Sequence, residues 1–178
     1  MKKAAAVLAS ALGILLPPVA GANQGHEAAT APCTITGSAG ADVLVGTPGS
    51  DVICAYGGAD VIRGLGGNDL ILGGAGNDRI DGGGGDDRSR GGAGSDLLDG
   101  RSGADVLRGD AGRDELLGRG GGDRLFGGGH RDRLLGGPAR DLFYARDGAR
   151  DRVEGGRGRD CARADRRLDV LLSVHERF

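Results

Sequence analysis

The stretch Gly73-Gly74-Ala75-Gly76-Asn77-Asp78-Arg79-Ile80 decides the fold, because the chain repeats its plan every nine residues. Two repeats later, Gly91-Gly92-Ala93-Gly94-Ser95-Asp96-Leu97-Leu98 returns the same glycines, aspartate and aliphatic. Working outward, aspartates stand at strict intervals of nine: Asp42, Asp51, Asp60, Asp69, Asp78, Asp87, Asp96, Asp105, Asp114, Asp123, Asp132 and Asp141. One extra residue then shifts the register, and Asp151, Asp160 and Asp169 continue it. Two residues after most of these comes an apolar side chain: Leu44, Ile53, Ile62, Ile71, Ile80, Leu98, Leu107, Leu116, Leu125, Leu134 and Phe143. The unit is G-G-x-G-x-D-x-U-x, with U apolar. A fixed period of this kind marks a repeat architecture.

Composition narrows the choice. The chain has 39 glycines in 178 residues, no Trp, 3 Phe and 2 Tyr. It lacks the bulky side chains of an ordinary core, so something besides core burial must hold it together. Collagen is excluded because Val43, Val52, Leu70 and Arg79 occupy every-third-residue slots that a triple helix reserves for glycine. A flexible glycine-rich linker would not keep aliphatics in register.

The nonad predicts an all-β chain. The residues x-U-x make a minimal strand with U inward, and G-G-x-G-x-D turns the chain, its glycines allowing positive φ and leaving carbonyls uncovered. Two nonads complete a coil of 18 residues, and about seven to eight coils stack at the ~4.8 Å strand spacing into two parallel sheets. Aspartates two repeats apart then lie one above another, with Asp60, Asp78, Asp96 and Asp114 on one edge and Asp69, Asp87, Asp105 and Asp123 on the other. Each carboxylate column repels itself unless a cation intervenes. Calcium suits such loops because it takes six to eight oxygens in flexible geometry, whereas magnesium demands a stricter octahedron. The absence of His and Cys from these slots argues against zinc.

These repeats resemble the RTX, or haemolysin-type, calcium-binding nonapeptide repeat. The closest stretches are Asp60 to Asp78 and Asp114 to Asp132; the resemblance covers 37–144 well and 151–172 loosely. It implies a right-handed parallel β-roll in which several structural calcium ions sit between loops of adjacent coils and drive folding from a disordered apo state. The expected ligands are Asp42, Asp51, Asp60, Asp69, Asp78, Asp87, Asp96, Asp105, Asp114, Asp123 and Asp132, with loop carbonyls around Gly64, Gly67, Gly73, Gly76, Gly82, Gly85, Gly91 and Gly94. Some positions depart from the unit. Ser89 takes a U slot, and His130 and Ala139 replace the third glycine. Arg113, Arg131, Arg140, Arg150 and Arg159 directly precede the later aspartates. Such an arginine either pairs with the carboxylate and competes with calcium or points away into solvent.

The ends carry separate information. Lys2 and Lys3, the apolar run Ala4 to Leu16, and Ala20-Gly21-Ala22 read as a secretory signal peptide over 1–22. The apolar part is too short for a membrane-spanning helix, so no membrane insertion is expected. A short linker over 23–32 precedes the roll at 33–172, and 173–178 form a tail or cap; Leu168 to Val174 read as a strand closing the open end. Residues 23–100 carry 11 acids and 4 arginines, a net of −7, while 101–178 carry 14 acids and 17 arginines, a net of +3. In an oxidising compartment Cys33 and Cys54 are the natural pair and Cys161 is left over. A regular first coil would hold the pair too far apart, so a disulfide requires irregularity there.

His26, His130 and His175 stand in no metalloprotease or triad-like setting. The arginines interleave with acids and lack aromatic stacking partners for nucleic acid. The expectation is a secreted, extracellular calcium-binding protein that is not an enzyme. The alternatives are an adhesion or matrix module whose flat face binds a cell-surface glycan or protein, and a detached domain of a secreted hydrolase.

Overall fold

The computed structural model describes residues 32–165 and 168–177. The signal peptide and nearly all of the linker expected at the N-terminus lie outside the described residues. The chain folds as alternating strands of a parallel solenoid of about eight turns. The early strands are β1 (Ile35–Thr36), β2 (Val43–Val45), β3 (Val52–Cys54), β4 (Val61–Arg63), β5 (Leu70–Ala75) and β6 (Arg79–Gly84). The middle ones are β7 (Arg88–Ala93), β8 (Leu97–Ser102), β9 (Val106–Ala111), β10 (Glu115–Leu117), β11 (Arg124–Gly129) and β12 (Arg133–Pro138). The last are β13 (Leu142–Ala145), β14 (Arg152–Arg157), β15 (Cys161–Ala164), β16 (Val170–Leu172) and β17 (Glu176–Arg177).

Odd-numbered strands form a nine-stranded sheet and even-numbered strands an eight-stranded one. The register repeats every 18 residues, as in Ile53↔Ile71 and Leu98↔Leu116. Several strands run to six residues rather than three, because the ladder continues past the first turn glycine, through pairs such as Gly74↔Gly92 and Ala75↔Ala93.

Each strand turns one side chain inward, and those side chains form the core. Ile53, Ile62, Ile71, Ile80, Leu98, Leu107, Leu116, Leu125, Leu134, Phe143 and Val153 are fully or almost fully buried. Ser89 is buried in the same row, between Ile71 and Leu107, and its hydroxyl has no hydrogen-bond partner. The weak point expected at that slot is real. His130 and Ala139 hold φ of 82° and 90°, in the left-handed region that the glycines they replace adopt without strain.

The extra residue is taken up between β13 and β14, so the pairs that span it step by 19, as in Leu134↔Val153, and the step returns to 18 in Arg152↔Val170. The expected closing strand is β16, and the segment read as a tail adds β17 beside β15. At the other end a disulfide joins Cys33 to Cys54 across a Cα separation of 5.9 Å. From Ile35 onward the first coil is regular. The irregularity falls on the residue before it. In later coils the amide following each aspartate donates to the aspartate carbonyl one coil back, as Leu70 does to Asp51. Val52 donates instead to the Thr34 hydroxyl, at 2.9 Å.

Candidate metal centre

The aspartates of the repeat are buried, although nothing in the apolar core needs them. Asp60, Asp69, Asp78, Asp87, Asp96, Asp105, Asp114, Asp123 and Asp132 are each at most 3% exposed, and Asp141, Asp151 and Asp160 at most 1%. A carboxylate in such a place must be hydrogen-bonded, protonated or bound to a cation.

One oxygen of each is accounted for. The Oδ1 atom accepts the backbone N–H of the aspartate one coil earlier: Asp60 donates to Asp78, Asp69 to Asp87, Asp78 to Asp96 and Asp87 to Asp105, at 2.8–2.9 Å. The ladder carries on from Asp123 to Asp141 and crosses the insertion from Asp132 to Asp151 and Asp141 to Asp160. The other oxygen is not accounted for. Oδ2 of each ladder aspartate, at nine-residue steps from Asp60 to Asp141 and then at Asp151 and Asp160, is buried without a hydrogen-bond partner. A row of twelve orphaned anionic oxygens is too regular to be an accident of packing.

The surroundings of that oxygen explain the first glycine of the unit. A Cβ built on Gly73 would lie 2.5 Å from Asp78 Oδ2 and 2.7 Å from the Gly91 carbonyl oxygen of the next coil. On Gly82 it would meet Asp87 Oδ2 at 2.5 Å and the Gly100 carbonyl at 3.2 Å. The space beside these Oδ2 atoms is thus an oxygen-lined hollow that any side chain would fill. Gly64 borders an equivalent hollow at Asp69, lined by the Gly82 carbonyl, and Gly91 lies directly against Asp96 Oδ2. The third glycines Gly67, Gly76, Gly85 and Gly94 all have positive φ and pack against the backbone of the coil below.

Electrostatics agree with the geometry. Burial, reinforced by repulsion from ladder neighbours, pushes the carboxyls of Asp87, Asp132 and Asp151 up to about 7. The same causes take Asp96, Asp105, Asp123 and Asp141 to about 6. Burial also raises Asp69, Asp78, Asp114 and Asp169. The amide donated to Oδ1 opposes the shift and does not cancel it.

The two leading aspartates differ. Asp42 Oδ2 accepts the Ser38 amide and hydroxyl at 2.6 and 2.8 Å, and Asp51 Oδ2 accepts those of Thr47 at 2.7 and 2.9 Å. The Thr47 amide and hydroxyl hold the Asp51 carboxyl below its ordinary range. Ser38 and Thr47 close the ladder at this end, where later repeats have glycine or a longer side chain. Conversely, Asp141, Asp151 and Asp160 belong to the ladder although they were not among the expected ligands. Their nine-residue register was the signal for them, unbroken at Asp141 and offset by one at Asp151 and Asp160. Arg113, Arg131, Arg140, Arg150 and Arg159 are exposed, and none forms an ion pair with a ladder aspartate among the described residues. None of them competes for a ladder carboxylate; Arg140 instead donates to Cys161 Sγ at 3.8 Å.

Among the described residues no three His, Cys, Asp or Glu side chains converge as a metal cluster. A cation in these hollows would therefore draw much of its shell from backbone carbonyls. One anionic oxygen per repeat beside a backbone carbonyl, with no nitrogen or sulfur, is a donor set for a hard cation of flexible coordination. The residues fit calcium. No helix among the described residues is long and apolar enough to cross a membrane.

Comparison with known families gives one result. Residues 34–62, 55–89, 82–116, 90–125, 117–150 and 126–160 match the model of the RTX calcium-binding nonapeptide repeat (4 copies). No curated protein matches the chain.

Proposed function

The chain belongs to the RTX calcium-binding nonapeptide repeat family, and we propose that it is a secreted, non-enzymatic β-roll whose folding is driven by calcium held between successive Gly/Asp loops. The observation that carries this reading is the row of buried Oδ2 atoms without a hydrogen-bond partner, which at Asp69, Asp78, Asp87, Asp105, Asp114, Asp123 and Asp141 lie beside a carbonyl of the next coil. Asp60, Asp69, Asp78, Asp87, Asp96, Asp105, Asp114, Asp123 and Asp132 supply the carboxylate oxygens, and Asp141, Asp151 and Asp160 extend the series. Carbonyls around Gly64, Gly67, Gly73, Gly76, Gly82, Gly85, Gly91 and Gly94 complete the shells. Asp42 and Asp51 act as terminal rungs satisfied by Ser38 and Thr47.

Calcium, when bound, supplies the positive charge that cancels repulsion along each column. The protein supplies the rest. Backbone amides lock one carboxylate oxygen of each aspartate, which aims the other at the hollow, and glycine keeps the hollow open. One aliphatic per nine residues gives too little burial to order a glycine-rich backbone unaided, so ion binding contributes folding free energy. Secretion is supported by the signal-like N-terminus and by the Cys33–Cys54 disulfide. The absence of an enzymatic role is supported by the aspartates being committed to the ladders.

Far-ultraviolet circular dichroism with added calcium or chelator at neutral pH tests the reading. The β signal should appear cooperatively with calcium and far less readily with magnesium. Full β signal in excess chelator would refute it.

A further inference from the structure

The outer faces of the two sheets carry both paired and unpaired arginines. Among the paired ones are Arg101 with Asp81, Arg119 with Asp99 and Arg133 with Glu115 on the eight-stranded side, and Arg90 with Asp110 on the nine-stranded side. On the nine-stranded side, Arg88 of β7 and Arg124 of β11 form no ion pair among the described residues. They flank Val106 of β9 in direct register, Arg88↔Val106↔Arg124. The two backbones are therefore two strand spacings apart, about 9.6 Å.

A cavity of about 380 Å³ opens here, bordered by Arg88, Val106, Arg124, Asn68 and Asp86. Its size falls in the range of small-ligand sites. Its polar groups are partly committed, and the remainder is specific. Asn68 Oδ1 accepts the Asp86 amide at 2.9 Å, and Asp86 Oδ1 accepts the Ala104 amide at 2.8 Å. Left to face a ligand are two guanidinium groups, the Asn68 side-chain NH₂ and the second Asp86 oxygen. The ladder residues Asp87 and Asp105 also border the cavity, but their Oδ1 atoms accept the Asp69 and Asp87 amides and their Oδ2 atoms are buried.

We infer that this cavity on the outer face of the nine-stranded sheet binds an acidic sugar unit of a linear polysaccharide. Arg88 and Arg124 hold the sugar carboxylate, and Asp86 and Asn68 hold its hydroxyls. Two cations beside a free carboxylate acceptor select a ligand that is anionic and also rich in hydroxyl donors. A sugar acid is both, whereas a phosphate chain offers Asp86 only more negative charge. The neighbouring rings do not serve nucleobases. Phe126 is stacked on Tyr144 at 4.4 Å, and Arg108 covers its ring at 4.8 Å. The face is therefore built for a flat, polar, anionic chain.

The test is calorimetry on the mature chain with a short oligogalacturonate, a neutral malto-oligosaccharide and inorganic polyphosphate. Free calcium is held constant and the β signal is checked in the same buffer. The oligogalacturonate should bind best. The double variant Arg88→Gln/Arg124→Gln should bind it about tenfold or more weakly through loss of charge-assisted hydrogen bonds, while Arg133→Gln leaves it unchanged. Asp86→Asn should narrow the preference over polyphosphate. Unaltered affinity in the folded double variant, or polyphosphate binding as tightly as the oligogalacturonate, would overturn the assignment. If the chain folds without calcium, the calcium reading fails instead; the same comparison in chelator then decides this one.

Discussion

Ser89→Ile isolates the one defect in the apolar row. Ser89 is 3% exposed, its hydroxyl is unsatisfied, and its register partners are Ile71 and Leu107. Removing a buried unpaired hydroxyl recovers about 1–3 kcal/mol. The added carbons contribute roughly 0.8 kcal/mol each. Allowing about 1 kcal/mol for imperfect fit, the net gain is about 2–4 kcal/mol. Fit should be good, because the slots above and below already accept Ile and Leu at the same coil spacing. If folding is coupled to calcium, a gain near 3 kcal/mol is about a hundredfold in the folding constant. Shared among cooperatively bound ions, it lowers the calcium midpoint by the n-th root of that factor for n ions, about threefold if n were four. A calcium titration followed by circular dichroism reads this directly. Ser89→Ala, which removes only the hydroxyl, should fall between wild type and Ser89→Ile. A midpoint unchanged or raised in Ser89→Ile would refute the view that this row limits the stability of the roll.

The other expectations concern the ladders and the ends. Changing both Asp78 and Asp96 to Ala should raise the calcium midpoint, since it deletes two orphaned oxygens from one column; an unchanged titration would remove these residues from the ligand set. In chelator, pH should act with a defined sign: carboxyls whose folded values are raised toward 6–7 favour the fold below their ordinary value of 3.8 and disfavour it as pH rises through the raised values. Metal-free chain should therefore show more β signal near pH 4 than near pH 7.5, and the opposite order would contradict the buried ladder. Ala139→Gly should stabilise the calcium-bound roll by about 1 kcal/mol, because φ of 90° strains any residue with a Cβ; a lower melting temperature would show that the strain is relieved elsewhere. Secreted protein should begin near Asn23, and mass spectrometry finding Met1 on it would reject the signal peptide.

Much of the molecule is legible without coordinates. A period of nine with one apolar residue places every U side chain inside, because strand side chains alternate and only one per repeat can face the core. It also places aspartates two repeats apart in columns, and the register of the two sheets follows. Ser89, His130 and Ala139 stand out as departures for the same reason. They break a rule that the neighbouring repeats state many times over.

The direction of each carboxylate could not be read that way. Oδ1 is tied to the amide of the aspartate one coil below, and Oδ2 is left for the hollow beside glycine, through contacts between residues 18 apart that exist only once the coils are stacked. Stacking also decides that Ser38 and Thr47 satisfy Asp42 and Asp51, and that the insertion after β13 carries the ladder on to Asp151 and Asp160. At the first coil it turns Cys33 off the repeat's path, so that the Thr34 hydroxyl replaces a carbonyl and the bridge to Cys54 can close. Local periodicity determines which residue occupies each slot. The hydrogen bonds of neighbouring coils determine which atom of that residue is left free to bind.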